Sequence, residues 1–293
     1  MLPINHRLIR NLLFTATILL AAASISLGAE PANLRLMTYN IRLDIASDGD
    51  NAWPHRRGWV IAQIGWLHPD IFGMQEVLPN QKADLIAALP QYRVLGGGRD
   101  DGGDKGEASP LGFDRRKFDL VDSGMFWLSP TPDVPSKGWD AAYNRVATWA
   151  RLRLRGRTGA ILAINTHWDH IGMVARKESA LQIVKWIEAH RKRCERVMLF
   201  GDFNSEIDTE PLRHLREAGL RDAREAAKSP PFGPGATFNG FKNPDPQAHA
   251  IDHFLLGREV EVNRYMVLAQ LIDGRWPSDH FPVLVEVTVP ACR

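Results

Sequence analysis

The chain has 293 residues, of which 44% are hydrophobic and 24% charged, with a formal net charge of +2. This is ordinary globular composition, able to bury a large core and most simply one catalytic domain of the α/β or two-sheet kind. Only two cysteines occur, Cys194 and Cys292, which fits neither a disulfide-built scaffold nor a cysteine metal site; in an exported protein they could pair or stay as two buried thiols.

His6, Arg7 and Arg10 precede an uncharged run from Asn11 to Ala29, rich in Leu, Ile and Ala and ending in the small residues Ser26-Leu27-Gly28-Ala29. Residues 1–29 read as a secretory signal peptide, with an uncleaved membrane anchor as the competing reading, since the run falls only slightly short of the roughly 20 residues that span a bilayer. Cleavage would leave residues 30–293 as the catalytic domain, secreted or periplasmic and without stable membrane insertion. The leader holds two of the 36 Lys and Arg and none of the 34 Asp and Glu, so the remainder balances at zero. Nucleic acid is therefore a possible partner that net charge does not indicate, although a local basic patch could exist. A monomer is expected.

After the leader, residues 34–40 read as a strand and 56–67 as a helix with Val60, Ile64 and Leu67 on one face. A strand over 70–76, a helix over 82–89 and a strand over 92–95 follow, before a Gly- and Asp-rich loop over 96–106. Strands are expected over 118–128 and 146–154. In the second, Arg151, Arg153 and Arg155 alternate with apolar residues as an exposed strand face would. A buried strand over 160–166 leads to a helix over 174–190 with the stripe Ala180, Ile183, Val184 and Ile187, and then to a short strand over 197–200. Thr209 is a plausible N-cap, with Pro211 in the first turn of a shorter helix. The chain closes with strands over 251–256, 263–268 and 282–289.

Polar residues gather where apolar runs end: Asn40, Glu76, His167, Asp202, Asn204 and Asp252, with Asp279-His280 just ahead of the last strand. Strand ends bordering loops let a rigid sheet aim side chains into one cleft. Asn, Asp and Glu offer oxygen ligands to a hard cation, and imidazoles add proton transfer or anion stabilisation. Zinc is less suited, because cysteine ligands and paired histidines at helical spacing are missing.

The segments MTYNIR, MQEV, INTHWDH, GDFN, AIDHFLL and SDHFPV resemble, in the same order, motifs of the endonuclease/exonuclease/phosphatase superfamily. The resemblance runs from about residue 33 to 289 and implies a DNase I-like α/β fold: a four-layer α-β-β-α sandwich of two mixed sheets packed face to face, helices outside. It also implies a divalent-metal-dependent hydrolase of phosphoesters, a phosphodiesterase or phosphatase using Mg²⁺ or Mn²⁺. A secreted nuclease and a non-catalytic phospho-ligand binder on the same fold are the alternatives.

Carried over by position, Glu76 would be the main metal ligand, with Asn40 beside it and Asp279 completing the shell. His280 would act as general base or orient the attacking water, Asp252 would support a histidine, and Asp202 and Asn204 would flank the phosphoryl group, Asp202 being the base in some accounts. His167 would be a second histidine, paired with Glu107 by a looser match, because Pro110-Leu111-Gly112-Phe113 ends in Phe where related sequences carry Tyr. Asn144 and Arg145 resemble a phosphate-approaching position, and Asp169 and His170 a substrate contact. Trp168 and Trp276, beside motifs, are candidate stacking platforms. Arg99, Asp100 and Asp101 in the glycine-rich loop read as solvated, and Ser278 as structural.

Overall fold

A computed structural model describes residues 30–292, so the leader expected over 1–29 lies outside the described residues. Among the described residues twelve strands, numbered in chain order, form two six-stranded sheets. The first runs Glu261–Val267 (β11), Val283–Val289 (β12), Ala32–Asn40 (β1), Ile71–Gln75 (β2), Leu111–Asp114 (β4) and Tyr92–Leu95 (β3). The second runs Phe118–Trp127 (β5), Val146–Leu154 (β6), Ala160–His167 (β7), Glu195–Asp202 (β8), Asp252–Gly257 (β10) and Leu220–Asp222 (β9). β1 with β2 and β7 with β8 are parallel and their other partners antiparallel, so both sheets are mixed.

The two-residue period of a strand produces the layers. Along β1, Leu34 and Leu36 enter a core shared with Ala163, Met198 and Phe200 of the other sheet, whereas Met37 and Tyr39 face Val60 and Ile64 of Trp53–Leu67 (α1) and Leu85 of Pro79–Ala88 (α2). Along β7, Ile161 and Ala163 point into the inter-sheet core, whereas Leu162 and Ile164 meet Ala180, Ile183 and Ile187 of Met173–His190 (α3) and Leu212 and Leu215 of Glu210–Glu217 (α4). Helices thus cover each sheet's outer face in the expected four-layer sandwich.

A polar pin crosses the apolar interior. Asn165 on β7 donates to the carbonyls of Met74 (2.8 Å) and Pro110 (2.9 Å) in the opposite sheet and accepts from Gln75 Nε2 at 2.7 Å. Gly73 makes room for it: a Cβ there would lie 2.3 Å from Asn165 Oδ1 and 2.6 Å from the Phe200 ring. Cys194, just before β8, and Cys292, just after β12, are disulfide-bonded with Cα atoms 5.3 Å apart, tying the two sheets at the end away from Asn40 and Asp202.

Several details depart from the sequence reading. Arg151 is buried on β6 and pairs with Glu195 and Asp122, while Trp149 next to it packs on Trp186 of α3; only the Arg153 and Arg155 side chains are solvent-facing. Thr209 occupies the N-cap, but its hydroxyl donates backwards to Glu206 O rather than capping the helix. β4, β9 and the short helix Ala223–Ala226 (α5) were not anticipated. β4 is hidden by its glycine, which is needed because a Cβ on Gly112 would fall 2.2 Å from the Phe72 ring.

Candidate active site

Strand register brings the heart of the centre together. In the first sheet Asn40 stands beside Gln75, which places Glu76 next to it. In the second His167 stands beside Asp202, and Asp202 opposite Asp252. These ends border an open cleft of about 600 Å³ lined by Arg42, Glu76, Glu107, Arg145, His167, His170, Asp202, Asn204, Asp279 and His280, with Asp252 behind His280. Glu76, Arg42 and Asn204 hold positive φ angles of 61°, 55° and 46°, conformations that non-glycine residues adopt at a cost and that concentrate at functional sites.

Asp202 is the hub. Its Oδ2 accepts from Asn40 Nδ2 at 3.0 Å and lies 3.5 Å from His167 Nε2 and 3.7 Å from His280 Nε2, while Oδ1 accepts from Asn204 N at 2.9 Å. On the far side of His280, Nδ1 meets Asp252 Oδ2 at 2.8 Å. Burial, with Asp252 nearby, lifts Asp202 to about 7. Burial of the His280 ring opposes its charge, but the carboxylates of Asp252 and Asp202 prevail and lift it to about 10. His167 goes the other way: burial and then the Arg145 and Arg99 guanidinium groups hold it well below its ordinary value, so it is neutral. The two histidines therefore differ in charge at neutral pH.

A second group of carboxylates adjoins the hub. Asn40 Nδ2 also donates to Glu76 Oε1 at 3.1 Å, and Leu43 N donates to Glu76 Oε2 at 3.2 Å. Arg42 places its guanidinium 3.8 Å from both Glu76 Oε2 and Asp279 Oδ2, fixed by two 3.0 Å bonds to Asp48. Burial, followed by the Glu76 charge, raises Asp279. Beneath them the buried Arg56 donates to the carbonyls of Asn51, Ile41, Arg42, Leu43 and Pro277, so its positive charge underlies Asp279 while it knits the strand ends together. Ser278 Oγ donates to Asn40 O at 2.7 Å, the structural part expected of it.

The opposite wall carries Arg145, 4% exposed. Its Nε lies 3.3 Å from Asp169 Oδ2 and its Nη2 is 3.0 Å from His170 Nδ1, but Nη1 is buried with no partner. Asp169 also accepts from the backbone of Ala142, Ile171 and Gly172, bonds that overcome its burial and keep it ionised. It therefore acts behind Arg145 rather than on a ligand. Asn144 is set back from the lining, its amide 3.4 Å from Arg99 O.

Besides Asp169 and Asn144, four further expectations change. Glu107 does not pair with His167; both its oxygens are taken by Arg99 at 2.8 Å. Arg99, read as solvated, is 8% exposed and lines the cleft. Asn40 turns its amide nitrogen, not its oxygen, toward Glu76 and Asp202, and the oxygen accepts from Arg42 N, so its amide holds the two carboxylates. Trp168 is wholly buried against Phe203, and Trp276 packs edge-on to Phe281 outside the cleft, so neither ring offers a face to a ligand there. Arg42 was missed although it lies in MTYNIR, because it falls just past the strand among alternating apolar residues, Ile41, Leu43 and Ile45, and reads as a solvated loop residue.

Two mixed sheets between helix layers, with acids and imidazoles gathered where β1, β2, β7 and β8 end, define a DNase I-like hydrolase fold. Residues 37–280 match the Endonuclease/Exonuclease/phosphatase family, and the chain belongs to it. It is 35% identical to an endonuclease/exonuclease/phosphatase family protein of Bacteroides thetaiotaomicron, with 89% of this chain and 99% of that one superposed at a TM-score of 0.85. It is 37% identical to a mannosyl-6-phosphatase of the same species, over 87% of this chain and 99% of that one, TM-score 0.81. An uncharacterized protein, L388, of Acanthamoeba polyphaga mimivirus is 26% identical over 161 residues, 53% of this chain; that match spans 60% of the viral protein's length.

Proposed function

We infer that the protein is an exported, divalent-metal-dependent phosphatase that removes the phosphoryl group from phosphorylated sugars. The observation that carries this reading is Arg145 Nη1, buried without a hydrogen-bond partner on a residue that lines the same cleft as Asp202 and His280. A buried guanidinium proton without an acceptor is costly unless a ligand supplies one, and phosphate oxygens do. Arg42 and Arg99 in the same lining favour a dianionic monoester over a singly charged diester. The 37% identity to a mannosyl-6-phosphatase favours a sugar as the esterified group.

The residues suit a hard cation. Glu76 and Asp279 each present an oxygen 3.8 Å from the Arg42 guanidinium, so the pair already faces a positive group, and oxygen donors match Mg²⁺ or Mn²⁺. Asp202, Asp252 and His280 also offer atoms within 4.8 Å of one another, but His280 Nδ1 is already bonded to Asp252, which fits proton handling better. Bound between Glu76 and Asp279, the ion would neutralise phosphate charge and polarise the phosphorus.

Arg145 holds non-bridging oxygens with Nη1, and neutral His167 adds a hydrogen bond without competing charge. Asp202 Oδ2 accepts the proton of the water whose oxygen bonds to phosphorus, the bond from phosphorus to the sugar oxygen breaks on the opposite side, and that oxygen takes a proton from solvent in the open cleft. The His280 imidazolium, kept charged by Asp252, offsets the negative charge that grows during in-line attack. Asn204, bonded to Asp202 and to Trp168 O, keeps the acceptor oriented. Export is supported by the Cys194–Cys292 disulfide, a bond that persists in oxidising compartments.

The purified protein with Mg²⁺ is expected to release inorganic phosphate from a hexose 6-phosphate faster than it cleaves bis-p-nitrophenyl phosphate, and EDTA should abolish both. Arg145→Lys, which keeps the charge but loses the fork, should lower kcat/KM by about 10- to 100-fold. Activity indifferent to EDTA, or a preference for the diester, overturns the reading.

A further inference from the structure

Two aromatic rings in the cleft are exposed yet fixed. Tyr143 is 53% exposed and Phe238 47% exposed. Tyr143 stacks on His170 with ring centroids 6.0 Å apart and 16° between planes, and its other neighbour is the Arg99 guanidinium, 4.7 Å from the ring centre. Its backbone N–H faces Asp169 Oδ2, the carboxylate that also holds Arg145. Phe238 meets the His280 ring at 5.0 Å and 66°. Its flanking backbone is clamped by Asn239 N to Asp279 O and Phe281 N to Thr237 O, both 2.7 Å.

Each ring is thus built against a histidine of the centre, and none of the chemistry described above uses either. Large apolar rings left in solvent beside a polar cleft mark a surface for a ligand. Their backbones are anchored and their inner edges packed, so the remaining faces are preorganised and binding a partner orders little. The same lining carries the Arg42 and Arg99 guanidinium groups and the His170 ring. An apolar face beside charged donors and acceptors matches a pyranose, which has a C–H face and a hydroxyl edge.

We propose that Tyr143 and Phe238 are specificity-determining residues that pack against the sugar ring of the leaving group while Arg145 holds its phosphate. This rests on the sugar-phosphatase reading but can fail separately from it. The test measures binding by calorimetry in the presence of Mg²⁺, using a non-hydrolysable hexose 6-phosphonate, a ring-less ethyl phosphonate and a nucleoside 5′-phosphonate, for wild type, Tyr143→Ala and Phe238→Ala. Both side chains are half exposed, and thermal unfolding verifies that the variants stay folded.

Wild type should bind the hexose phosphonate about tenfold or more tightly than ethyl phosphonate. Each substitution should reduce that preference by roughly three- to tenfold, the scale of one lost aromatic face, and leave ethyl phosphonate unchanged. Four results overturn the proposal: no preference in wild type, a preference intact in both variants, equal weakening for both ligands, or tighter binding of the nucleoside compound. Phosphate release from the matching esters by wild type decides the catalytic reading independently. A protein that binds the hexose phosphonate through these rings but releases no phosphate upholds the ring site and sinks the phosphatase.

Discussion

Replacing Asp252 with Asn isolates the charge behind His280. Asp252 Oδ2 and His280 Nδ1 are 2.8 Å apart and both side chains are buried. At an effective dielectric near 20, unit charges at that separation attract by about 6 kcal/mol before desolvation is subtracted. Asn keeps the shape and offers a carbonyl oxygen to the Nδ1 proton, so the ring stays oriented while the charge is lost. His280 stands at about 10 because the carboxylates of Asp252, Asp202 and, less strongly, Asp279 outweigh its burial, and the variant loses the largest of them. An imidazole raised in this way keeps its proton until pH climbs through the raised value. Wild type should therefore lose activity on the alkaline side only near pH 10, and the variant at lower pH. kcat should fall by about 10²- to 10⁴-fold, the range of acid–base assistance, with KM little changed because Arg145 carries the binding. Initial rates of phosphate release from p-nitrophenyl phosphate at saturating Mg²⁺, taken across pH, measure both. A kcat within a factor of about three of wild type, with the alkaline limb unmoved, refutes the role given to Asp252.

Two further outcomes test the acceptor and the scaffold. Asp202 must be ionised to take a proton, and burial beside Asp252 raises it to about 7, so the wild-type rate should climb as pH rises through neutrality; a pH–rate profile without an acid limb there removes Asp202 as base. Gly73→Ala would drive a methyl against Asn165 and Phe200 and strain the three hydrogen bonds of the Asn165 pin. It should cost about 1–3 kcal/mol, a fall in Tm of roughly 2–10 °C, and an unchanged melting curve by circular dichroism contradicts the tight inter-sheet fit.

The strands that carry the site were the most legible part of the sequence. β2, β7 and β8 are buried on both faces and so read as largely apolar runs, and the charged or imidazole residue at or just past the end of each marks the cleft edge. Glu76, His167 and Asp202 followed from that. Pairings made by loops did not. Arg99 sits among glycines and acids that look solvated, and only the folded 96–106 loop, in which Gly97 and Gly98 lie against the carbonyls of Gly102 and Lys105, turns it inward to Glu107. Arg151 misled for a related reason: alternation on β6 implied a wet face, but the end of α3 and the start of β8 cover it and supply the His190 carbonyl and Glu195 as partners. The HWDH segment placed Trp168 beside the chemistry in sequence, yet the strand's alternation sends that ring into the core under the helices.

Asn40 joins the two halves of the centre, and its chemistry explains why an amide stands there. One Nδ2 group reaches Glu76 Oε1 at 3.1 Å and Asp202 Oδ2 at 3.0 Å, while its Oδ1 is held by Arg42 N. A carboxylate of the same size would set a third negative charge against two others in a buried place, and an aliphatic side chain would leave both oxygens short of a donor. A neutral group with two amide protons satisfies both acids at once and adds no charge. It also fixes the distance between the carboxylates suited to a cation and the carboxylate suited to a proton, and in-line attack on a phosphorus atom held between them depends on that distance.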